Sequence, residues 1–495
     1  MTVRRALAPI MAALALTACS AGSTATEVGR VAGRESLVLG TTGVPASLDF
    51  TTTGGAAIPQ ALMANIYEGL VRIDAAGDIV PLLATSWDVS EDATEYTFHL
   101  REGVTFSDGT PFTAETAKFS IENVQDSWTN GLKSQMDVVA DVEVLGEHTL
   151  QVTLSRPSHH WLWSMGTLTG AMMSPGAVDR LATHPVGTGP YTLGRFAVGE
   201  SITFHTRQDY WGEQAKQNAA IRYFSDATSA VNALRSGDID LVWAMQAPEL
   251  LDTLPEEYVV EVGTTNGEVL LSMNNQRAPF DDPSIRQAVF HAVDRAAVNQ
   301  VVWEGLATDT GGTPVPPTDP WFTGEDFAAF DPDRARELLD GRTPDITISL
   351  PSLPYAQNIS ELLYSQLRDV GFRVRLETLE FPAVWLAEVM TAKNYDMSLI
   401  AHVEARDIPA LFGNPNYYLG YDNEQARDDL LAADTAVSVD EQVDHMESAV
   451  ATIMSDAGAL TIFNLPNIVV AAPGVSGVTP TVVTDALALA GMEKQ

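Results

Sequence analysis

The sequence predicts an α/β fold, because segments with strand-like and helix-like patterns alternate along the chain. One such segment lies near residue 230. Val231 and Leu234 share the inward face of a helix that Thr228 can cap. Gly237 can end this helix in the left-handed conformation, and the segment 239–243 predicts a buried strand.

A second segment repeats this pattern and predicts a βαβ unit. Residues 346–350 alternate as a strand does, and apolar residues keep helical spacing over 359–370. Gly371 can stop the helix, and alternation resumes over 374–376.

A further helix and strand follow this unit. The pattern predicts a helix over 384–390 and a short apolar strand over 397–400. Ligands of open α/β sheets gather at the carboxyl ends of strands. The loop that begins at residue 401 is therefore expected near a ligand.

Composition places the chain among folded proteins with more than one domain. It has 495 residues, of which 45% are hydrophobic and 19% charged, which suffices for roughly two or three domains. The balance of 28 basic against 65 acidic residues gives a net charge of −37. Such an excess of carboxylates repels phosphate backbones, so the sequence predicts no nucleic-acid partner and favours solubility outside the cell.

The single cysteine excludes an intramolecular disulfide and a CxxC zinc site. Cys19 follows a basic start, an apolar run and small residues, a layout that resembles a bacterial lipoprotein signal. We expect residues 1–18 to be a lipoprotein signal peptide, Cys19 to be lipidated, and residues 19–36 to form a flexible tether. The alternative is an ordinary signal cleaved elsewhere. No second apolar stretch is long enough to span a membrane, so attachment would be through the lipid anchor only.

No catalytic signature is present in the sequence. The motifs GxSxG, HExxH, GxGxxG and a phosphate loop ending in Gly-Lys are all missing, and residues 187–190 have the wrong spacing for a dinucleotide loop. Adjacent His159 and His160 point to different faces of a helix or strand, so a shared metal is not expected. The sequence thus predicts no catalytic residue, no metal site and no cofactor.

Short motifs occur in a characteristic order along the chain. They are Tyr67-Glu68-Gly69-Leu70-Val71, Pro81-Leu82-Leu83-Ala84, Phe106-Ser107-Asp108-Gly109, Gly187-Thr188-Gly189-Pro190-Tyr191, Asp209-Tyr210-Trp211, Ser236-Gly237-Asp238-Ile239-Asp240, Pro279-Phe280-Asp281-Asp282 and Ala292-Val293-Asp294-Arg295. This order resembles solute-binding protein family 5, the extracytoplasmic substrate-binding proteins of peptide and nickel-type ABC importers. The match covers most of the chain from about Leu37 to Leu399.

The resemblance implies a two-lobed periplasmic-binding-protein-like (Venus flytrap) fold with an additional third domain. Lobe I would comprise residues 37–62, 182–275 and 468–495. The extra domain would span 63–181, and lobe II 276–467. Ligand would lie in the cleft between the lobes, which close over it by hinge motion.

The loop 402–407 matches the family segment that binds the amino terminus of a peptide, but with a departure. The position of the ammonium-binding aspartate corresponds to Ala405, flanked by Glu404 and Asp407, with His402 at the start of the loop. A shifted loop could present Glu404 or Asp407 to a cation. Arg406 equally suits a ligand carboxylate, which predicts a ligand with an anionic group. The alternative is a surface pair between Arg406 and Glu404 or Asp407.

Other ligand contacts are predicted from position and residue type. The glycine-containing loop after the first strand allows close approach of the backbone, tryptophans can form a pocket wall, and amide and phenol groups near residue 416 can bind peptide backbone. For Trp163 and Trp385, the alternative to a pocket wall is packing in the core. The predicted contacts are Thr52, Thr53, Gly54, Trp163, Trp385, Asn416 and Tyr417, in addition to His402, Glu404, Arg406 and Asp407.

Together these features predict a non-enzymatic, lipid-anchored, extracytoplasmic receptor. It would act as a monomer that captures a small solute and delivers it to a cognate ABC permease. The solute expected first is a short peptide. The alternatives are a metal chelate or metallophore of the nickel type, or another small anionic solute. An extracytoplasmic hydrolase and a chaperone or adhesion role are more remote alternatives.

Overall fold

A computed structural model describes residues 30–31 and 34–495 of the chain. The predicted signal peptide and the lipidation site Cys19 lie outside the described residues. The second strand begins at Arg34, so the last three residues of the predicted tether belong to a strand.

The chain alternates strands and helices. The strands are β1 (Arg30–Val31), β2 (Arg34–Thr41), β3 (Val71–Ile73), β4 (Ile79–Pro81), β5 (Ala84–Val89), β6 (Glu95–Leu100), β7 (Val139–Gly146), β8 (Thr149–Leu154), β9 (Tyr191–Ala197), β10 (Ser201–Thr206), β11 (Asn218–Tyr223), β12 (Leu241–Val242), β13 (Val259–Met273), β14 (Asp345–Pro351), β15 (Arg373–Leu379), β16 (Met397–His402), β17 (Ala459–Ala471), β18 (Val475–Ser476) and β19 (Glu493–Lys494). The α-helices are Ala57–Leu62, Ala114–Ser127, His159–Ser164, Ala227–Ser236, Pro283–Ala292, Arg295–Trp303, Pro332–Leu339, Pro354–Val370, Ala383–Trp385, Ile408–Phe412, Glu424–Thr435 and Val439–Ser455. Short 3₁₀ turns occupy Gly131–Met136, Leu168–Gly170, Val178–Arg180 and Pro248–Thr253.

One large mixed sheet runs through the molecule. Its strand order is β15-β14-β16-β13-β17-β12-β2-β11-β10-β9, and β1 pairs with β2. The two longest strands, β13 and β17, are antiparallel neighbours at its centre and join the two halves. β13 also pairs with β16, which aligns Glu268 with His402. Each half buries its own apolar cluster, so the architecture has two cores on either side of these crossing strands.

A separate four-stranded antiparallel sheet, in the order β5-β6-β8-β7, lies within the segment 63–181. The helix Ala114–Ser127 packs against β7, and its inner face is buried. Thr113 and Thr116 form a capping box at its start. The bounds of the extra domain and of the two lobes stay predictions, and β17 continues across the predicted boundary at 467/468.

The predicted α/β class is confirmed, with local differences. The helix near residue 230 is capped by Asp226 and not by Thr228, because Asp226 Oδ1 accepts a hydrogen bond from Ser229 N at 2.7 Å. Gly237 ends that helix with φ of 76°, in the predicted left-handed conformation. The helix predicted over 384–390 is one α-turn continued by a π-helical turn, Leu386–Thr391.

Within residues 30–31 and 34–495, no helix combines the length and the apolar character needed to cross a bilayer.

Candidate functional site

A cavity of about 650 Å³ lies between the extra-domain segment and the predicted lobe II. One wall comes from residues 131–160 and the opposite wall from residues 405–446, with Trp321 between them. A volume of this size falls in the range of small-molecule sites. The carboxyl end of β16 leads into the second wall, as expected for a ligand site in an α/β protein.

Asp434, at the end of the helix Glu424–Thr435, joins the two walls. Its Oδ2 accepts a hydrogen bond from Arg156 Nη1 at 2.6 Å. Its Oδ1 accepts from Ser158 Oγ at 2.9 Å and from the backbone N of His160 at 3.0 Å. The carboxylate therefore caps the start of the helix His159–Ser164 from across the cavity, which favours a closed arrangement of the two walls.

Arg406 lies on the cavity wall between two indole rings. Its guanidinium carbon is 3.4 Å from the ring centroid of Trp163 and 4.8 Å from that of Trp321. Its Nε donates to Asp319 Oδ1 at 3.3 Å, and the side chain is 12% exposed. The alternative, a surface pair with Glu404 or Asp407, is therefore not what the structure shows. Arg406 instead forms a buried pair with Asp319 and cation–π contacts with both rings.

Burial acts on both members of this ion pair. It lowers the pKa of Arg406, and Asp319 opposes that change. It raises the pKa of Asp319 to about 6, although the guanidinium pulls in the other direction. The recorded hydrogen bond uses only Nε, so the terminal nitrogens of Arg406 have no described hydrogen bond among residues 30–31 and 34–495.

His402 ends β16 and is held by an aromatic hydroxyl. Its Nε2 lies 2.8 Å from Tyr418 Oη, which lies 2.8 Å from Ser272 Oγ. The rings of His402 and Tyr418 are stacked with centroids 5.9 Å apart. Burial lowers the pKa of His402, which favours a neutral imidazole at neutral pH. When Nε2–H donates to Tyr418, Nδ1 is an acceptor that faces Asp407 Oδ2 at 3.7 Å.

The carboxyl groups of Glu404 and Asp407 lie close to this imidazole. Glu268 interacts electrostatically with both of them and Asp485 with Glu404, and we call these four carboxyl groups the acidic cluster. Glu268 is 2% exposed, and its Oε1 has no hydrogen-bond partner within the part of the chain that the structure describes; the same holds for Asp407 Oδ2. Burial, followed by the charges of neighbouring carboxylates, raises the pKa of Glu268 and of Asp407. The same two causes raise the pKa of Asp485 to about 7. Among residues 30–31 and 34–495, no lysine or arginine is recorded in an ion pair with this cluster, which is therefore suited to bind a cation.

Two members of the acidic cluster, together with His402, form a set of possible metal ligands. Single donor atoms of His402, Glu404 and Asp407 lie within 4.8 Å of one another. Nitrogen and carboxylate donors suit a divalent transition metal, and Tyr418 is a second-shell partner of the imidazole. These groups also suit an ammonium, which forms hydrogen bonds to the same acceptors.

The structure brings some of the predicted contacts together. Arg406 and Asp407 line the cavity, Trp163 contacts Arg406, and His402 and Glu404 belong to the same group. Tyr417 packs edge-on against Tyr418 at 5.1 Å, and its pKa is raised to about 12 by burial and by Glu404 and Asp407.

The other predicted contacts lie elsewhere. Thr52, Thr53 and Gly54 are absent from the cavity wall, and the space next to Gly54 is open. Trp385 is 2% exposed and donates from Nε1 to Ser398 Oγ at 3.1 Å, so it packs in the core. Asn416 is an exposed residue of a turn. Ligand contact at these positions remains a prediction without geometric support from the cavity.

Sequence patterns alone missed Glu268, Asp319, Trp321 and Asp485. A signal existed for Glu268, because a single carboxylate precedes the apolar run 269–271 of a buried strand. Asp319, Trp321 and Asp485 are far from the loop 402–407 in sequence and carry no local signal.

Comparison with known proteins identifies the family. The model of bacterial extracellular solute-binding proteins, family 5, matches residues 78–424. The chain belongs to this family. Family 5 consists of solute-binding proteins and not of enzymes, as the sequence predicts.

Among relatives, heme-binding protein A of Haemophilus influenzae is 28% identical over 359 residues, covering 64% of this chain and 65% of its own. Glutathione-binding protein GsiB of Escherichia coli K12 is 28% identical over 338 residues, covering 65% of each chain. The match thus spans about two thirds of the length of these family 5 relatives.

Solved structures of family 5 proteins share the fold. The substrate-binding protein CtaP of Listeria monocytogenes superposes with a TM-score of 0.82 at 20% identity, covering 93% of this chain and 99% of that one. NikA of Brucella suis, solved with Fe(III)-EDTA, gives 0.81 at 22% identity, covering 92% and 100%. A dipeptide-binding protein of Pseudoalteromonas, solved with Met-Leu, gives 0.78 at 22% identity, covering 93% and 100%. These likenesses establish the two-lobed fold.

Proposed function

We propose that this chain is the lipid-anchored receptor of an ABC importer and that it captures short peptides through their free amino terminus. The observation that carries the proposal is the acidic cluster beside the cavity of about 650 Å³. Asp407 lines the cavity and belongs to the cluster, so a ligand in the cavity can place an ammonium against it.

The charges of the cavity wall suit a peptide. An ammonium is a compact cation with three donors, and the free acceptors Asp407 Oδ2 and Glu268 Oε1 would receive them. Arg406 provides a positive group on the same wall, which suits the carboxyl terminus or an acidic side chain. The solved relatives of this fold include proteins bound to a dipeptide and to the peptide STSA, which supports a peptide as the solute.

The test compares peptides with free and blocked termini. Calorimetry with Ala-Ala and Ala-Ala-Ala should show binding, and acetylation of the amino terminus should weaken it at least about a hundredfold, since a buried charge would lose its partner. Asp407→Asn should have an effect of the same size on the unblocked peptides. The matched control is Asp126→Asn, which removes an exposed carboxylate from the helix Ala114–Ser127. Equal binding of free and acetylated peptides would contradict the proposal.

A second observation supports a metal complex as the other candidate solute. His402, Glu404 and Asp407 offer donors to a divalent cation. Native mass spectrometry of the purified protein distinguishes the two candidates, because a peptide and a metal complex differ in mass and in their response to EDTA.

Anchoring to the membrane is the second part of the proposal. Cys19 is the only thiol of the chain, so Cys19→Ala removes the sole site for thioether lipidation. The variant should move from the membrane to the soluble extracytoplasmic fraction. Unchanged membrane retention and unchanged mobility of the variant would contradict the lipoprotein interpretation.

A further inference from the structure

We propose that Asp434 is a positioning residue, a latch that holds the two walls of the cavity together before solute binds and so sets the affinity for solute without contacting it. The observation that points to this is the set of hydrogen bonds between its carboxylate and residues 156–160 on the opposite wall. The inference goes beyond the proposed function, because it holds for a peptide and for a metal complex alike.

Both oxygens of Asp434 are engaged by protein groups. Their donors are a guanidinium, a hydroxyl and a backbone N–H of residues 156–160. Ser158, which supplies the hydroxyl, also accepts a hydrogen bond from Trp161 N at 3.2 Å, so the carboxylate is joined to the first turn of the helix His159–Ser164. A carboxylate with three such donors needs none from a solute. Asp434 therefore stabilises the contact between the walls.

Further contacts join the same short helix to the second wall. His159 Nε2 lies 3.1 Å from the carbonyl oxygen of Ala436, two residues after Asp434. The helix that carries Asp434 packs against it. Near its other end, Trp163 stacks on the guanidinium of Arg406, in the loop after β16. Closing the latch thus also brings the first wall onto the loop that is predicted to bind solute.

The latch is suited to opening as well as to closing. The side chain of Asp434 is 20% exposed and that of Arg156 is 46% exposed. Water therefore screens their ion pair, and pairs of this kind contribute little singly. The two further hydrogen bonds to the charged carboxylate add to it. The resulting contact favours the closed form and leaves room for solute to stabilise it further.

The fraction of closed molecules determines how tightly any solute binds. A solute that binds only the closed form has an apparent Kd equal to its intrinsic Kd divided by that fraction. Loss of the latch lowers the closed fraction of the free protein, so it weakens every solute by the same factor. A residue that contacts the solute would instead weaken different solutes unequally.

The first test compares Asp434→Ala with the matched control Asp428→Ala, which changes an exposed aspartate of the same helix, Glu424–Thr435. Small-angle scattering without solute should show a larger radius of gyration for Asp434→Ala than for the wild type, and Asp428→Ala should match the wild type. Saturating Ala-Ala-Ala should return Asp434→Ala to the wild-type value, which a local structural defect would not do. If Asp434→Ala does not fold, Arg156→Ala replaces it with the same expected result.

Calorimetry provides the second readout. Asp434→Ala should weaken the binding of Ala-Ala and of Ala-Ala-Ala by the same factor, about tenfold. Asp434→Asn keeps an acceptor oxygen for Ser158 Oγ and for the backbone N of His160 and loses only the charge that faces Arg156. It should therefore weaken both peptides less than Asp434→Ala does.

The outcomes separate this inference from the proposed function. An unchanged radius of gyration of Asp434→Ala without solute overturns the inference and leaves the proposed function standing. A loss of affinity confined to one of the two peptides shows that Asp434 contacts the solute and also overturns the inference. If neither peptide binds the wild type, the proposed function fails, and scattering without solute still decides whether the latch exists.

Discussion

Two buried glutamates in this molecule have opposite surroundings. Glu68, 3% exposed, accepts hydrogen bonds from Tyr210 Oη at 2.7 Å, Thr188 Oγ1 at 2.8 Å and Trp211 Nε1 at 3.0 Å. Glu268, 2% exposed, has a free Oε1 and faces other carboxylates. Burial is the largest cause of a raised pKa in both, yet hydrogen bonds and Arg207 lower the pKa of Glu68 while Asp407 and Glu404 raise that of Glu268 further.

The comparison shows how a carboxylate satisfied within the protein differs from one that lacks partners. Every donor around Glu68 belongs to the protein, so its network holds together segments that are distant in sequence. The donors that Glu268 lacks must come from a ligand, or the group remains a cost to stability. Equal burial therefore says little about role, and the identity of the neighbours decides it.

Glu68→Gln should have the largest effect on stability. The amide offers one acceptor oxygen and two unwanted donors to three hydrogen-bond donors, so the variant should lose about 2–4 kcal/mol of unfolding free energy. Glu268→Gln should not destabilise, because it removes a repelled carboxylate. Urea unfolding of both variants at pH 8 measures the difference. Comparable losses in the two would mean that Glu268 is also a structural residue.

The affinity for a peptide with a free amino terminus should rise with pH. Glu268 and Asp407 have raised pKa values, so at acidic pH they hold protons that must leave before they can pair with a cation. From pH 5 to pH 8 we expect the affinity to increase about tenfold or more. Calorimetry across this range with Ala-Ala measures the trend, and Glu268→Gln should flatten it. An affinity that falls with rising pH would contradict an ionised acidic cluster as the binding partner.

Asp485→Asn should have the smallest effect, on stability alone. The pKa of Asp485 is raised from 3.8 to about 7, so the folded state binds the proton more tightly than the unfolded state does. This contribution to stability is present below about pH 4 and is lost as the pH rises through 7. The variant should therefore match the wild type at pH 4 and exceed it by about 1 kcal/mol at pH 8. Thermal unfolding at both pH values provides the measurement, and a variant less stable than the wild type at pH 8 would contradict the assignment.

Much of the fold could be predicted from the sequence, because it depends on local pattern. Alternation over 346–350, helical spacing over 359–370 and Gly371 at a helix end each involve neighbours in the chain, and all appear in the structure. The cap at Asp226 in place of Thr228 shows the limit of such prediction, since two nearby residues can compete for one helix start.

The sequence by itself determined the α/β class and the resemblance to family 5, and it singled out the loop 402–407 as the predicted ligand contact, because these follow from residue order along the chain. Only the tertiary structure decided what surrounds that loop. Asp319, more than eighty positions away, forms an ion pair with Arg406. Glu268 comes close to Asp407 because β13 pairs with β16. Electrostatic partners are set by distance in space, and a strand pairing that joins remote segments brings charges together that no local pattern connects.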